Sequence, residues 1–108
     1  MRQFIMDKLD LSFEKMPPQN LEAEMAVLGS MLIEETAISY AVEMLDSASF
    51  YNDSNRRIFE SAVKLYGDNK AVDIVTLIEE LKKTGDLDKV GGSTYIASLT
   101  TVVPTAAN

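Results

Sequence analysis

Leu21, Met25, Leu28 and Leu32 recur at intervals of four, three and four residues, the spacing of one face of an α-helix. Asn20 stands before this stripe as an N-cap, and Glu22 and Glu24 fall in the first turn, where carboxylates favour the positive end of the helix dipole. Gly29 lies beside the stripe, where a mid-helix glycine costs about 1 kcal/mol relative to alanine; it either admits the close approach of another backbone or is simply tolerated there. A second helix is expected from about Thr36 to Leu45, with Ile38, Ala41, Val42 and Leu45 inward and Glu43 outward; Asp46-Ser47-Ala48-Ser49 then breaks the pattern. A third helix, capped by Asp53 or Ser54, carries Ile58, Phe59, Ala62, Val63 and Tyr66 and stops at Gly67-Asp68, with Phe50 and Tyr51 packing ahead of it. A fourth runs from an Asp73 cap through Ile74, Leu77, Ile78 and Leu81 to Gly85, with Glu79, Glu80, Lys82 and Lys83 outside. After a short turn at Asp86–Val90, Gly91-Gly92-Ser93 opens a last helix with Tyr95, Ile96 and Leu99, ended by Val102-Val103-Pro104.

No run of residues alternates cleanly between apolar and polar, so nothing predicts a sheet. The expected fold is all-α, a small bundle of about five helices, with Leu28, Leu32, Phe59, Val63, Leu77 and Leu81 in the core. Residues 1–16 precede Pro17-Pro18, a pair that cannot continue a helix, and read as a flexible leader. The alternative for that leader is a docking strand or helix built on Phe4, Ile5, Leu9, Leu11 and Phe13.

Composition narrows the function. At 108 residues, 46% hydrophobic and 25% charged, the chain has the make-up of one folded domain. Its apolar runs, such as Met31-Leu32-Ile33, are far shorter than the roughly 20 residues of a membrane span. The apolar stretch Phe4-Ile5-Met6 is interrupted by Asp7 without a cleavage site after it, which makes the cytoplasm the default compartment. Arg2, Lys8 and Lys15 balance Asp7, Asp10 and Glu14, so the whole net charge of −7 belongs to residues 17–108. An acidic surface repels nucleic-acid phosphates and disfavours direct DNA binding.

Candidate chemistry is sparse. With no histidine and no cysteine, Ser-His-Asp triads, Cys-His nucleophiles and the usual zinc sites are unavailable. Glu34-Glu35, Glu79-Glu80 and Asp86-x-Asp88 offer carboxylates for Mg²⁺ or acid–base work, but their positions on outer helix faces and turns make a solvated surface the simpler reading. The stretch Gly85–Ser93 has glycines and a serine, yet its glycine spacing is wrong for a phosphate loop and Gly92 stands where the lysine is required. Arg56, Arg57 and Lys64 form the one basic cluster on a regular element, the basis for a rival reading as a stand-alone helical DNA-binding domain. No catalytic, cofactor-binding or metal-ligating residue is assigned.

The run Pro17-Pro18-Gln19-Asn20-Leu21-Glu22-Ala23-Glu24, followed by Ala26-Val27-Leu28-Gly29-Ser30, resembles the opening of the DnaB replicative helicase family. Further matches follow in order: Phe50-Tyr51 before Ile58-Phe59, Val75-Thr76-Leu77 leading to Glu80-Leu81, Val90-Gly91-Gly92 with Tyr95, and Val103-Pro104-Thr105-Ala106-Ala107-Asn108. The resemblance covers residues 17–108 and implies the non-catalytic N-terminal domain of a hexameric replicative DNA helicase. It implies a role in ring assembly and primase docking, with primase and the other helicase subunits as partners and room for a helicase loader. Single-stranded DNA would be engaged by the parent ring rather than by this domain. ATP and Mg would belong to the parent's motor domain, which the family pattern places after a helical hairpin and a linker beyond Val103-Pro104-Thr105-Ala106-Ala107-Asn108. No enzymatic activity is expected of these 108 residues themselves.

Overall fold

Local stop and start signals divide the chain into its elements. The computed structural model describes residues 20–103; the leader at residues 1–16, the Pro17-Pro18 break and the Pro104 stop lie outside the described residues. Among the described residues five α-helices follow one another: α1 Leu21–Ile33, α2 Glu35–Met44, α3 Asp53–Gly67, α4 Ile74–Thr84 and α5 Gly92–Leu99, with a short 3₁₀ turn at Ser47–Ser49. No strand occurs among the described residues, in agreement with the all-α expectation.

Asn20 takes the N-cap position of α1 at φ −79°, ψ 34°, and its carbonyl accepts from the Glu24 N–H at 3.4 Å. A single extended residue, Glu34 (φ −126°, ψ 119°), separates α1 from α2, which starts one residue earlier than its periodicity suggests. The cap of α3 is Asn52 rather than Asp53 or Ser54: its side chain accepts from the Asn55 N–H at 2.9 Å. Helix α3 ends at Gly67-Asp68 as expected, although the glycine is not the left-handed residue that closes it. Asn69 takes the left-handed conformation (φ 61°), which lets Lys70 N–H reach Leu65 O at 2.9 Å and Asn69 N–H reach Tyr66 O at 3.0 Å. These are the paired bonds of a Schellman ending, with asparagine in the glycine role. Helix α4 matches its expected bounds. Asp73 accepts from Thr76 N–H at 2.9 Å while Thr76 Oγ1 accepts from Asp73 N–H at 3.0 Å, and Gly85 (φ 78°) closes the far end.

The core gathers residues from every helix: Leu28, Met31 and Leu32 of α1, Ile38 and Ala41 of α2, Ile58, Phe59, Ala62 and Leu65 of α3, Leu77 and Leu81 of α4, and Ile96 and Leu99 of α5. Phe50 and Val90 enter from the loops, Phe50 meeting Phe59 at a ring separation of 4.8 Å. Five of the six expected core residues are buried; Val63 is only half-buried, Tyr66 is exposed and Leu65 is buried in their place. The inward arc of α3 is turned because that helix packs on α4 as well as on α1 and α2, so Leu65, Ser61 and even Asn55 face neighbours. Tyr51, expected to pack with Phe50, is exposed.

Of the two readings of Gly29, the close approach holds. A Cβ there would collide with the Leu99 carbonyl oxygen and stand 2.5 Å from Val103 Cγ2, so the end of α5 and the chain beyond it cross α1 in direct backbone contact.

Candidate functional site

Three polar clusters and one apolar groove are the places where these residues could do more than fold. The first cluster centres on Glu24. Its carboxylate accepts from Tyr51 N–H at 2.7 Å, from Asn52 N–H at 3.4 Å and from Asn55 Nδ2 at 3.0 Å. Tyr95 of α5 completes it by donating to Asn55 Oδ1 at 2.6 Å. Asn55 is wholly buried, and both ends of its amide are used. The carboxylate thus sits at the N-terminus of α3, where the helix dipole and free amides favour an anion. Burial pushes the Tyr95 phenol above its ordinary value, and the nearby Glu24 charge adds to the shift. With the amide oriented so, the bond to Asn55 holds the phenolic proton and reinforces the neutral form. Sequence reasoning placed Glu24 in the first turn of α1 and missed this link, because its partners lie 27 to 31 residues away.

The second cluster disposes of the basic patch. Arg56 Nη1 lies 2.6 Å from Asp53 Oδ1, and Arg57 Nε lies 2.9 Å from Asp53 Oδ2. Arg57 also reaches Asp86 with Nη1 at 3.1 Å, and Asp86 accepts from Thr84 Oγ1 at 3.0 Å. The hydrogen bond from Arg57 holds the Asp53 carboxyl below its usual range despite some desolvation, and Asp53 in turn raises Arg57. Lys64 is paired with Asp68 at 3.2 Å, the contact that raises its ammonium pKa, and lies 3.7 Å from Glu80. The cations that a DNA reader would present are paired with carboxylates of their own domain, which lowers the positive potential a phosphate would meet.

Glu80 forms the third cluster and corrects a sequence expectation. Expected on the outside of α4, it is 4% exposed, sitting under Lys64 at 3.7 Å and Lys83 at 3.8 Å. Neither lysine is buried, and their long apolar stems can cover the carboxylate while their charged heads stay in water. Glu34, Glu35, Glu79 and Asp88 are exposed, as expected. Among the described residues no group of three or more acidic side chains could hold a metal ion.

The stretch from Gly85 to Ser93 does not fit a nucleotide. Its amides are already engaged: Val90 N–H donates to Asp86 O at 3.0 Å, Gly91 N–H to Asp88 O at 3.2 Å and Gly92 N–H to Leu87 O at 2.8 Å. A phosphate cradle needs such groups free and convergent. Here they close a turn instead.

The groove lies between α1 and α2. Val27 and Met31 form one wall and Ala37, Tyr40, Ala41 and Met44 the other, around about 490 Å³ of open space. Tyr40 is 65% and Met44 48% exposed, so α2 is apolar on its outer side as well as its inner one. No helix among the described residues is long and apolar enough to cross a membrane.

Comparison with known proteins identifies the domain. A family described as "DnaB-like helicase N terminal domain" matches residues 16–108. Over 94 residues, 87% of the chain, it is 50% identical to the replicative DNA helicase DnaB of Treponema pallidum and 47% identical to that of Rhodothermus marinus. It spans only 22% and 10% of the length of those two relatives. The crystal structure of the N-terminal domain of DnaB helicase from Mycobacterium tuberculosis superposes with a TM-score of 0.78 at 40% identity, covering 85% of this chain and 64% of that one. With five helices among the described residues and a match that runs through all of them, the chain belongs to the family of DnaB-like helicase N-terminal domains.

Proposed function

We propose that these residues act as the non-catalytic N-terminal domain of a hexameric replicative DNA helicase in the cytoplasm, contributing to ring assembly and receiving primase during DNA replication. The observation that carries this reading is the family match over residues 16–108. The chemistry of the described residues agrees with it: carboxylates are used as helix caps and ion-pair partners, and the cations of α3 are internally paired. ATP and Mg would act in the motor domain of the parent, single-stranded DNA would pass through its ring, and a loader would meet the assembled helicase.

The test is calorimetric titration of the 108-residue chain with primase from the same organism, with and without duplex DNA. Saturable association that ignores DNA is expected. Binding to duplex DNA that weakens steeply with salt, in place of primase binding, would favour the DNA-binding reading instead.

A further inference from the structure

The α1/α2 groove leaves apolar side chains facing water, and uncovered patches of this kind mark places where something docks. The chain itself carries a segment of matching character. Ile5, Met6, Leu9, Phe13 and Met16 follow at steps of one, three, four and three, a single stripe on a helical wheel. Charges divide on either side of that stripe, Lys8 and Lys15 along one flank and Asp7, Asp10 and Glu14 along the other. Pro17-Pro18 ends the pattern at the stripe's last residue.

Length and position agree as well. Residues 5–16 as a helix would extend about 18 Å, and the 13 residues of α1 extend about 20 Å, at 1.5 Å per residue. Residues 17–20 join the two segments, and a connection of that size suits neighbouring antiparallel helices. A helix returning from Asn20 along α1 runs over Val27 and Met31, one wall of the groove. At the corner between the two walls, Glu34 lines the groove and is exposed, and its charge suits the Lys8 and Lys15 flank. So short a helix is marginal in water by itself and needs an apolar surface to form.

We propose that residues 5–16 form an amphipathic helix that docks into the α1/α2 groove of its own chain, with Met6, Leu9 and Phe13 as anchors against Val27, Met31, Tyr40 and Met44. This is the helix-in-groove mode of recognition, made intramolecular by the short connection, which gives it a high effective concentration. It does not depend on the proposed role in replication.

Photo-crosslinking in the full 108-residue chain tests the proposal. A photoreactive phenylalanine analogue replaces Leu9 or, as a control on the opposite side of the wheel, Leu11, in equal mixtures of isotopically light and heavy chains. Position 9 should crosslink to peptides containing Val27–Met31 and Tyr40–Met44 within single chains, and position 11 should not. Light-to-heavy crosslinks would mean that a second copy fills the groove, and no crosslink from position 9 into it would mean that the leader does not; either result overturns the proposal. Amide exchange gives a second readout. Leu9→Asp combined with Phe13→Asp should speed exchange at Tyr40–Leu45 roughly tenfold, as loss of a covering element does, whereas Leu11→Asp should leave it unchanged. Equal exchange in the double variant and the parent would likewise overturn the assignment.

Discussion

Glu24 stands in the first turn of α1, yet its carboxylate serves a different helix, accepting from the backbone of Tyr51 and Asn52 and from the buried amide of Asn55. Glu24→Ala leaves Asn55 Nδ2 without its acceptor and α3 without its external cap. The expected loss is about 2 kcal/mol, since hydrogen bonds to charged groups and orphaned buried donors both fall in that range. Glu22→Ala, one turn edge away and exposed, should stay within about 0.5 kcal/mol, as surface changes do. Urea denaturation of the two variants distinguishes them. Tyr95 gives the same network a pH dependence. Its folded-state pKa is raised above the ordinary 10.0 by burial, so the stabilisation is complete below that value and declines as pH rises through the folded-state value. Tyr95→Phe should lower stability near neutrality by about 1 kcal/mol and flatten the part of the alkaline decline due to this group. Thermal melts between pH 8 and 11 read both effects; an unchanged alkaline slope would remove Tyr95 from the account.

At the scale of elements, two helical glycines make opposite demands. Gly29 is packed against the Leu99 carbonyl and Val103, so Gly29→Ala must push backbone apart. Overpacking of this kind costs about 1–3 kcal/mol and should loosen the α1–α5 crossing, seen as faster amide exchange in Gly92–Leu99. Gly67 ends α3 with nothing within 4 Å of a Cβ and no left-handed backbone. Gly67→Ala should therefore stabilise by about 0.5–1 kcal/mol through the unfolded chain's reduced freedom. Calorimetric melting temperatures should move in opposite directions for the two variants.

For the whole molecule, charge opposes association between copies. A net charge of −7 makes copies repel, while scattered exposed residues outside the groove, such as Ile33, Tyr51 and Val75, offer little apolar area for association. A stable interface usually buries about 1,200–2,000 Å² in total, which would take much of the surface of a domain this small. Light scattering of the 108-residue chain at tens of micromolar should report the mass of one or two chains. A stable hexamer would show that this domain carries the ring contacts by itself.

The five helices, the α4 cap and the glycine stop at Gly85 could be read from the sequence because each depends on residues within one or two turns: periodicity, a capping box and a left-handed glycine are local. The close approach at Gly29 was legible as one of two alternatives, though not the partner, which comes from 70 residues away. Tertiary structure decided the rest. Packing of α3 on several neighbours turned its inward arc from Val63 and Tyr66 to Leu65 and Asn55, and the two lysines over Glu80 hid a carboxylate that a helical wheel places outside. The Glu24 network and the α1/α2 groove arise between segments distant in sequence or from a corner angle set by one residue, Glu34, so no local pattern announces them. Burial is a property of surroundings, and surroundings exist only once the helices have met.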